Sequence, residues 1–207
     1  MSRVRVHNLS ISLDGYAAGR DMSEEDPMGV GGMALHQWAL ATQAFHDQHA
    51  TGAAGQPGTL EDALVAAGVE GIGATVMGRR MWGPSRDDWQ GWWGEEPPFH
   101  HPVFVVTSTP REPLVKGETT FHFVTDGVAA AVERAKEAAG DRDVRLGGGA
   151  MTVRTAMELG LVDSLHLAQV PVLLGAGQRL WEGPVDYLLT RSEQAPSGVL
   201  HLHLEKA

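Results

Sequence analysis

The stretch VRLGGGAMTVRTAMELGLVD, residues 144–163, sets three consecutive glycines between a short aliphatic run and a helical pattern. A glycine inside a regular element costs about 0.5–1 kcal/mol relative to alanine, so Gly147–Gly149 require a reason. The run before them predicts a strand that ends at Leu146, and residues from about 150 to 159 predict a helix. Either a tight turn or a ligand pressed against bare backbone explains the glycines.

The setting of the glycines favours an anionic ligand. A strand followed by a helix places them at the carboxyl edge of a parallel sheet, where ligands bind in open α/β sheets. The helix N-terminus presents free N–H groups and a partial positive charge, which suit a diphosphate. The spacing is G-x-G-x-x-T and not the full dinucleotide fingerprint, and Asp163 is the only acid about twenty positions further on that could contact a ribose. A tight turn without a ligand stays an alternative.

Two other strand ends carry groups that suit anions. In TVMGRRMWG, Gly78 ends a predicted strand and is followed by Arg79 and Arg80. In VVTSTPRE, a predicted strand leads to the hydroxyls of Thr107 and Ser108 and to the guanidinium of Arg111. Arginine suits phosphate, and hydroxyls suit a ribose or a phosphate. Each motif alone fits a capped helix or a solvated arginine, but together they predict one anionic ligand.

Composition predicts one soluble domain over residues 1–207, with a loop-helix segment inserted at about 20–58. The chain has 207 residues, of which 43% are hydrophobic, and a formal net charge of −10, which argues against nucleic acid as a partner. It has no cysteine, no signal-peptide pattern and no apolar run of the roughly 18 residues that a membrane helix needs. We therefore expect a cytoplasmic protein with a small-molecule substrate, no nucleic acid partner and no membrane contact.

The order of the predicted elements gives the fold class. RVRVHNLSISLDG predicts a first strand, Leu35, Trp38, Thr42 and Phe45 recur at helical spacing, and Thr59 starts a helix that Gly68 stops. Strands and helices then alternate, and the last forty residues hold two strands without a helix between them, which we expect to pair antiparallel. The sequence predicts an α/β fold with a mixed, mostly parallel sheet.

Five motifs in this order resemble the dihydrofolate-reductase-like superfamily. They are SLDG, VMGRRMW, VVTS, LGGGA and GLVDSLHLAQVPVLLGAG. The sequence is most similar to the reductase domain of the bifunctional riboflavin-biosynthesis enzyme, over about 170 residues outside the inserted segment. This resemblance implies a three-layer α/β/α fold with a central sheet of about eight strands, an NADPH-dependent oxidoreductase and a homodimer.

The resemblance also implies roles for individual residues. Asp14, in SLDG, would lie beside the nicotinamide and the substrate as the catalytic residue, either binding a substrate hydroxyl or shaping the turn. His36 and Trp38 are candidates for substrate binding, although a tryptophan at helical spacing also fits a core position. The implied cofactor-binding residues are Gly78, Arg79, Arg80, Thr107, Ser108, Gly147, Gly148, Gly149 and Ala150.

The implied reaction is hydride transfer from NADPH to a small heterocyclic substrate, such as a phosphoribosylamino-pyrimidine of riboflavin biosynthesis. A dihydrofolate or pterin reductase is one alternative, but the helix after strand one has its first acid only at Asp47. A non-catalytic NADPH-binding module is the other. The histidine pairs His201 with His203 and His46 with His49 lack a third ligand in the pattern, so we predict no metal.

Overall fold

The computed structural model of the chain describes residues 2–84 and 88–207. Within these ranges the strands are β1 Val4–Ser12, β2 Tyr16–Ala18, β3 Ile72–Gly78, β4 Val103–Val106, β5 Leu114–Lys116, β6 Thr119–Val124, β7 Asp143–Gly148, β8 Ser164–Val170, β9 Gln178–Arg179, β10 Tyr187–Gln194 and β11 Leu200–Lys206. The helices are a 3-10 helix Gly32–His36, α1 Gln37–Leu40, α2 Gln43–Gln48, α3 Leu60–Ala67, α4 Arg79–Trp82, α5 Gly127–Ala139 and α6 Ala150–Glu158.

The fold is three-layer α/β, as the sequence predicts. Nine of the strands form one sheet in the order β10-β11-β8-β1-β7-β3-β4-β6-β5. β1, β7, β3, β4 and β6 pair in parallel, and β10 pairs antiparallel with β11. The prediction of about eight strands missed β5, which has three residues and pairs antiparallel with β6. It also missed the two-stranded ribbon of β2 and β9.

The chain divides into two compact units. The first unit comprises Met1–Val6 and Gly71–Asp163, and the second comprises His7–Glu70 and Ser164–Ala207. The prediction of a single domain over residues 1–207 stays a prediction. None of the helices in the described ranges is long and apolar enough to cross a membrane.

The first unit packs α5 against β3, β4 and β7. Alanine-rich sequence favours this helix, and its small buried side chains allow close packing on the strands. A second buried cluster comprises Met77, Trp82, Phe99, Val103, Val105 and Phe121. Trp89 and Trp93 pack against this cluster, so most of the tryptophan-rich stretch is core in this unit.

The second unit packs the helices of the inserted segment on β8 and the chain before β11. Its buried cluster comprises Leu35, Trp38, Val65, Ala168, Val170 and Val199. The prediction of one continuous helix through Leu35 and Phe45 is wrong, because the helical segment is interrupted at Thr42. Thr42 has an extended backbone, and its hydroxyl accepts a hydrogen bond from the N–H of Phe45, so it caps α2. The predicted cap at Thr59 is confirmed, since its hydroxyl accepts from the N–H of Asp62.

Candidate active site

The carboxyl ends of β7, β3 and β4 lie side by side in the first unit. Met77 on β3 is the register partner of Gly148 on β7, and Gly78 is the partner of Val106 on β4. Because these strands are parallel, the residues that follow them emerge at one edge of the sheet. The structure therefore brings together the three motifs that the sequence analysis singled out.

The glycine turn leads directly into an uncapped helix. Gly148 is the last residue of β7, and Gly149 is the N-cap of α6 with no side-chain hydrogen bond to the helix. The first N–H groups of a helix have no acceptor within it. Gly147, Gly148 and Gly149 contribute no side chain that would cover these N–H groups, and the nearest side-chain atom to the Cβ position of Gly148 is Met81 Sδ at 3.3 Å. This edge fits a phosphate-bearing ligand.

The glycines are also required by the backbone. Gly148 has a φ of +136° and Gly149 a φ of +81°, which L-residues rarely adopt. Gly78 has an ordinary φ, but a Cβ there would lie 2.3 Å from Thr152 Oγ1 on α6. Gly78 therefore lets the end of β3 contact the first turn of α6.

The two arginines after Gly78 differ in their surroundings. Arg79 is half-buried, and its Nη1 donates to the carbonyl of Gly83 at 3.2 Å. Arg80 is exposed. Arg80 is thus the more available of the two for a phosphate, while Arg79 also holds the end of α4.

The third strand end presents hydroxyls, but its arginine is engaged elsewhere. The Thr107 hydroxyl accepts from the N–H of Thr109 at 3.1 Å, and Ser108 is exposed. The Arg111 guanidinium donates to the carbonyl of Trp89 and lies 5.3 Å from the Phe123 ring centre. Arg111 therefore joins the aromatic cluster, which the sequence pattern did not indicate.

Asp14 lies in the second unit, where its carboxylate connects the turn after β1 to the loop at Leu174 and Gly175 by hydrogen bonds. Its Oδ1 accepts from the Ser12 hydroxyl at 2.5 Å and from the N–H of Leu174 at 3.1 Å, and its Oδ2 accepts from the N–H of Gly175 at 2.7 Å. The Ser12 hydroxyl, followed by the two N–H groups, lowers the pKa of Asp14 to about 2. The carboxylate is ionised at neutral pH.

The guanidinium of Arg179 lies beside this turn, and the sequence pattern did not indicate it. Arg179 donates from Nη1 to the carbonyl of Asp14 at 3.3 Å, and its guanidinium carbon is 4.5 Å from the centre of the Tyr16 ring. Tyr16 and Arg179 are register partners in the β2–β9 ribbon. A two-residue strand has too weak a periodicity to be found from sequence.

The two predicted substrate residues also belong to the second unit. Trp38 is 4% exposed and its indole N–H donates to Ser10 Oγ at 2.9 Å, so it packs in the core. His36 is half-buried, and its Nε2 is shielded from solvent without a hydrogen-bond partner. Burial lowers the pKa of His36. A free, neutral imidazole nitrogen makes His36 the better candidate of the two for contact with a ligand.

Two histidines of the second unit, His166 and His201, form a directional hydrogen-bonded chain. The N–H of Asn8 donates to His166 Nδ1, so the neutral His166 carries its proton on Nε2 and donates it to His201 Nδ1 at 3.1 Å. His203 stacks on His166 with ring centres 4.6 Å apart. In residues 2–84 and 88–207 no group of three or more His, Asp or Glu side chains could hold a metal ion.

Comparison with known proteins identifies the family. A family model described as the RibD C-terminal domain matches residues 5–200. The chain belongs to the RibD C-terminal domain family. This is the family that the five motifs predicted, and membership in this reductase family supports an oxidoreductase.

Solved structures agree at the level of the fold. A protein from Shewanella sp. PV-4 described as a riboflavin biosynthesis protein is 19% identical, with a TM-score of 0.63 over 100% of this chain and 99% of that chain. A pyrimidine reductase-like protein from Corynebacterium diphtheriae is 12% identical, with a TM-score of 0.57 over 100% of this chain and 92% of that chain. No curated protein matches the chain.

Proposed function

We propose that this RibD C-terminal domain protein is an NADPH-dependent reductase that transfers hydride to a small heterocyclic substrate. The observation that carries the proposal is the uncapped N-terminus of α6, entered through a turn without side chains. This helix N-terminus lies at the sheet edge where arginines follow β3 and hydroxyl side chains follow β4. Such an edge suits the several phosphates of a dinucleotide.

The cofactor-binding residues have separate roles in this proposal. Gly147, Gly148, Gly149 and Ala150 would hold the diphosphate on backbone N–H groups of the turn and of α6. Gly78, Arg79 and Arg80 would contact the adenosine portion, and Thr107 and Ser108 its ribose or 2′-phosphate. The reduced nicotinamide supplies the hydride when the cofactor is bound.

Asp14 would act as a fixed anion beside the substrate. With a pKa of about 2, its carboxyl group holds no proton to donate at neutral pH. Its hydrogen bonds to Leu174 and Gly175 keep the turn and the loop in place, so it can accept a bond from a substrate hydroxyl without moving. The proton that accompanies hydride transfer would therefore come from another group or from water. Of the two predicted substrate residues, His36 would contact the substrate, and Trp38 would support it from the core.

A phosphoribosylamino-pyrimidine is the substrate that the family favours, and dihydrofolate is the alternative. Asp47, the first acid in the helices after β1, is exposed on α2 and accepts from Gln43 Nε2 at 2.7 Å. It is already engaged in a local bond on the helix surface. We therefore expect dihydrofolate to be a poor substrate.

The first experiment separates binding from turnover. NADPH and NADH are titrated calorimetrically into the wild type, Arg80→Gln and Arg134→Gln at one salt concentration. Arg134 is an exposed arginine of α5 paired with Asp126 and lies outside the proposed site. Its replacement by glutamine therefore changes the net charge by the same amount as Arg80→Gln does. We expect Arg80→Gln to weaken NADPH about tenfold, which is roughly 1.4 kcal/mol, and NADH much less.

The second experiment follows NADPH oxidation with a phosphoribosylamino-pyrimidine and with dihydrofolate. Sustained turnover with the pyrimidine supports the reductase. Tight NADPH binding without turnover on either compound would favour the non-catalytic binding module. If NADPH does not bind the wild type at all, the proposal is wrong.

We also propose that the protein is a homodimer, as its family resemblance implies, and that it is located in the cytoplasm, as its sequence pattern predicts. Sedimentation velocity would give one species of twice the 22.2 kDa chain mass. A monomer at all accessible concentrations would contradict the proposed assembly, and recovery of the native protein outside the cytoplasmic fraction would contradict the proposed location.

A further inference from the structure

A row of polar and basic side chains crosses three strands of the first unit. Arg5 on β1 and Thr75 on β3 are both register partners of Arg145 on β7. Register partners on neighbouring strands project to the same face of a sheet. Thr75 Oγ1 is hydrogen-bonded to His101 Nε2 at 2.8 Å, which adds the imidazole to this row.

Arg145 is half-buried, and one donor of its guanidinium lacks an acceptor. Its Nε is shielded from solvent and has no hydrogen-bond partner. A shielded donor without an acceptor costs about 1–3 kcal/mol, and more when the group is charged. Burial and the neighbouring Arg5 guanidinium lower the pKa of Arg145, but arginine stays protonated in proteins. The charge therefore persists, and the shielded Nε–H is a donor that an anionic acceptor would satisfy.

The nearest acid on the same strand is already engaged. Asp143 Oδ1 accepts from the N–H of Arg3 at 2.9 Å, and Oδ2 lies 3.1 Å from Arg5 Nε. Across the described part of the chain, no carboxylate forms an ion pair with Arg145. Arg5 thus has a counter-ion, and Arg145 has none among residues 2–84 and 88–207.

The surroundings of Arg145 add positive charge. Burial, followed by Arg145 and then Arg142, lowers the pKa of His101 to about 4, so this imidazole is neutral at pH 7 and both guanidiniums lie near it. His101 precedes β4, and Arg142 directly precedes β7. The cluster therefore lies towards the amino ends of these strands, whereas the proposed cofactor residues follow their carboxyl ends.

We propose that Arg145, with Arg142 and the hydrogen-bonded Thr75 and His101 beside it, forms a binding site for an oxyanion of the carboxylate or phosphate type. A planar guanidinium presents parallel N–H donors that match two oxygens of such a group. The oxyanion comes either from a free small molecule or from a carboxylate side chain of a second copy of this chain. The site is independent of the proposed reductase function.

The test titrates inorganic phosphate and acetate into the wild type, Arg145→Met, Arg145→Lys and Arg134→Met, with and without saturating NADPH. Methionine keeps much of the aliphatic part of the arginine side chain and removes the charge. Lysine keeps the charge but lacks the parallel N–H donors of the guanidinium. Binding is followed by calorimetry and by the NMR resonance of the Arg145 Nε–H, identified by its loss in Arg145→Met. Arg134→Met is the matched control for the loss of one positive charge.

For a free anion, we expect phosphate or acetate to bind the wild type and Arg134→Met equally and to shift the Arg145 Nε–H resonance. Affinity should fall at least tenfold in Arg145→Met and by a smaller factor in Arg145→Lys. Saturating NADPH should leave this binding in place, because the cofactor phosphates would lie at the other ends of the strands. If NADPH fails to bind while phosphate still does, the proposed function fails and the anion site stands.

For a carboxylate of a second copy, the added anions should not bind the assembled wild type. Sedimentation velocity should then show that Arg145→Met dissociates at concentrations where the wild type and Arg134→Met stay assembled. The proposal is wrong if neither anion shifts the Arg145 resonance and Arg145→Met leaves the assembly unchanged. It is equally wrong if, with NADPH bound, Arg145→Met binds phosphate as tightly as the wild type does. If Arg145→Met does not fold, Arg145→Lys is compared with the wild type by the same measurements and criteria.

Discussion

Gly148 illustrates how one residue can have two reasons to be glycine. Its φ of +136° disfavours any side chain, and the proposed diphosphate would disfavour a negative one. Comparing Gly148→Asp with Gly148→Asn separates the two effects, because both variants carry the same backbone strain, of order 1–3 kcal/mol, and side chains of the same size beside Met81. We expect Gly148→Asp to bind NADPH at least tenfold more weakly than Gly148→Asn in calorimetric titrations. Equal affinities of the two variants would leave only the turn as the reason for the glycine.

Asp14 gives a pH-dependent prediction at the same scale. Its folded pKa of about 2 lies below the ordinary value of 3.8, so the unfolded chain takes up a proton first as the pH falls. The stabilisation by this carboxylate is therefore complete above about pH 4 and is lost towards pH 2. We expect Asp14→Asn to lower the Tm at neutral pH and to match the Tm of the wild type at about pH 2. A Tm difference that is constant over this range would show that the ionised carboxylate is not what holds the turn.

The contact between β3 and α6 depends on a missing side chain. Alanine at position 78 would place its Cβ 2.3 Å from Thr152 Oγ1, so Gly78→Ala should cost about 1–3 kcal/mol of unfolding free energy. Thr152→Ala removes that oxygen, and the double variant should recover at least about 1 kcal/mol relative to the sum of the single changes. Urea unfolding of the four proteins measures this coupling. Additive effects would mean that the strain at position 78 does not come from Thr152.

Elements with strong periodicity could be predicted from the sequence, and those fixed by a single contact could not. The alanine-rich α5 and the β-branched β3 and β4 carry their own signal, so their positions follow from pattern. β5 and β9 have three and two residues, too few for any period to show. The break at Thr42 depends on whether one hydroxyl caps α2 or faces the helix, and helical spacing alone does not distinguish these.

At the scale of the whole molecule, the candidate cofactor edge could be predicted because parallel strands bring their carboxyl ends together whatever lies between them in sequence. The engagement of Arg111 with Trp89 and the bonds from Asp14 to the loop at Leu174 could not. These contacts join positions far apart in the chain, and they depend on the exact placement of side chains. Sequence therefore indicates which residues reach the edge but not which partners they find there.

The histidines make the stability of the whole molecule sensitive to acid. Burial lowers the pKa of His36, His101, His122, His166, His201 and His203, with His101 at about 4 and His166 at about 2. Since the ordinary value is 6.5, the unfolded chain binds more protons than the folded one once the pH falls below it. Stability should be complete above about pH 6.5 and should fall with increasing steepness towards about pH 4.5.

Urea unfolding at a series of pH values gives the difference in bound protons as the slope of the unfolding free energy. Between about pH 6 and 5 the wild type should show a slope of at least about two protons, because the folded protein keeps His101 and His166 largely neutral there while the unfolded chain charges them. His101→Gln keeps an amide that can bond to Thr75 but removes one titrating group, so its slope should fall by up to one proton. A flat wild-type profile, or a variant whose slope matches the wild type, would mean that these imidazoles are not held neutral by the fold.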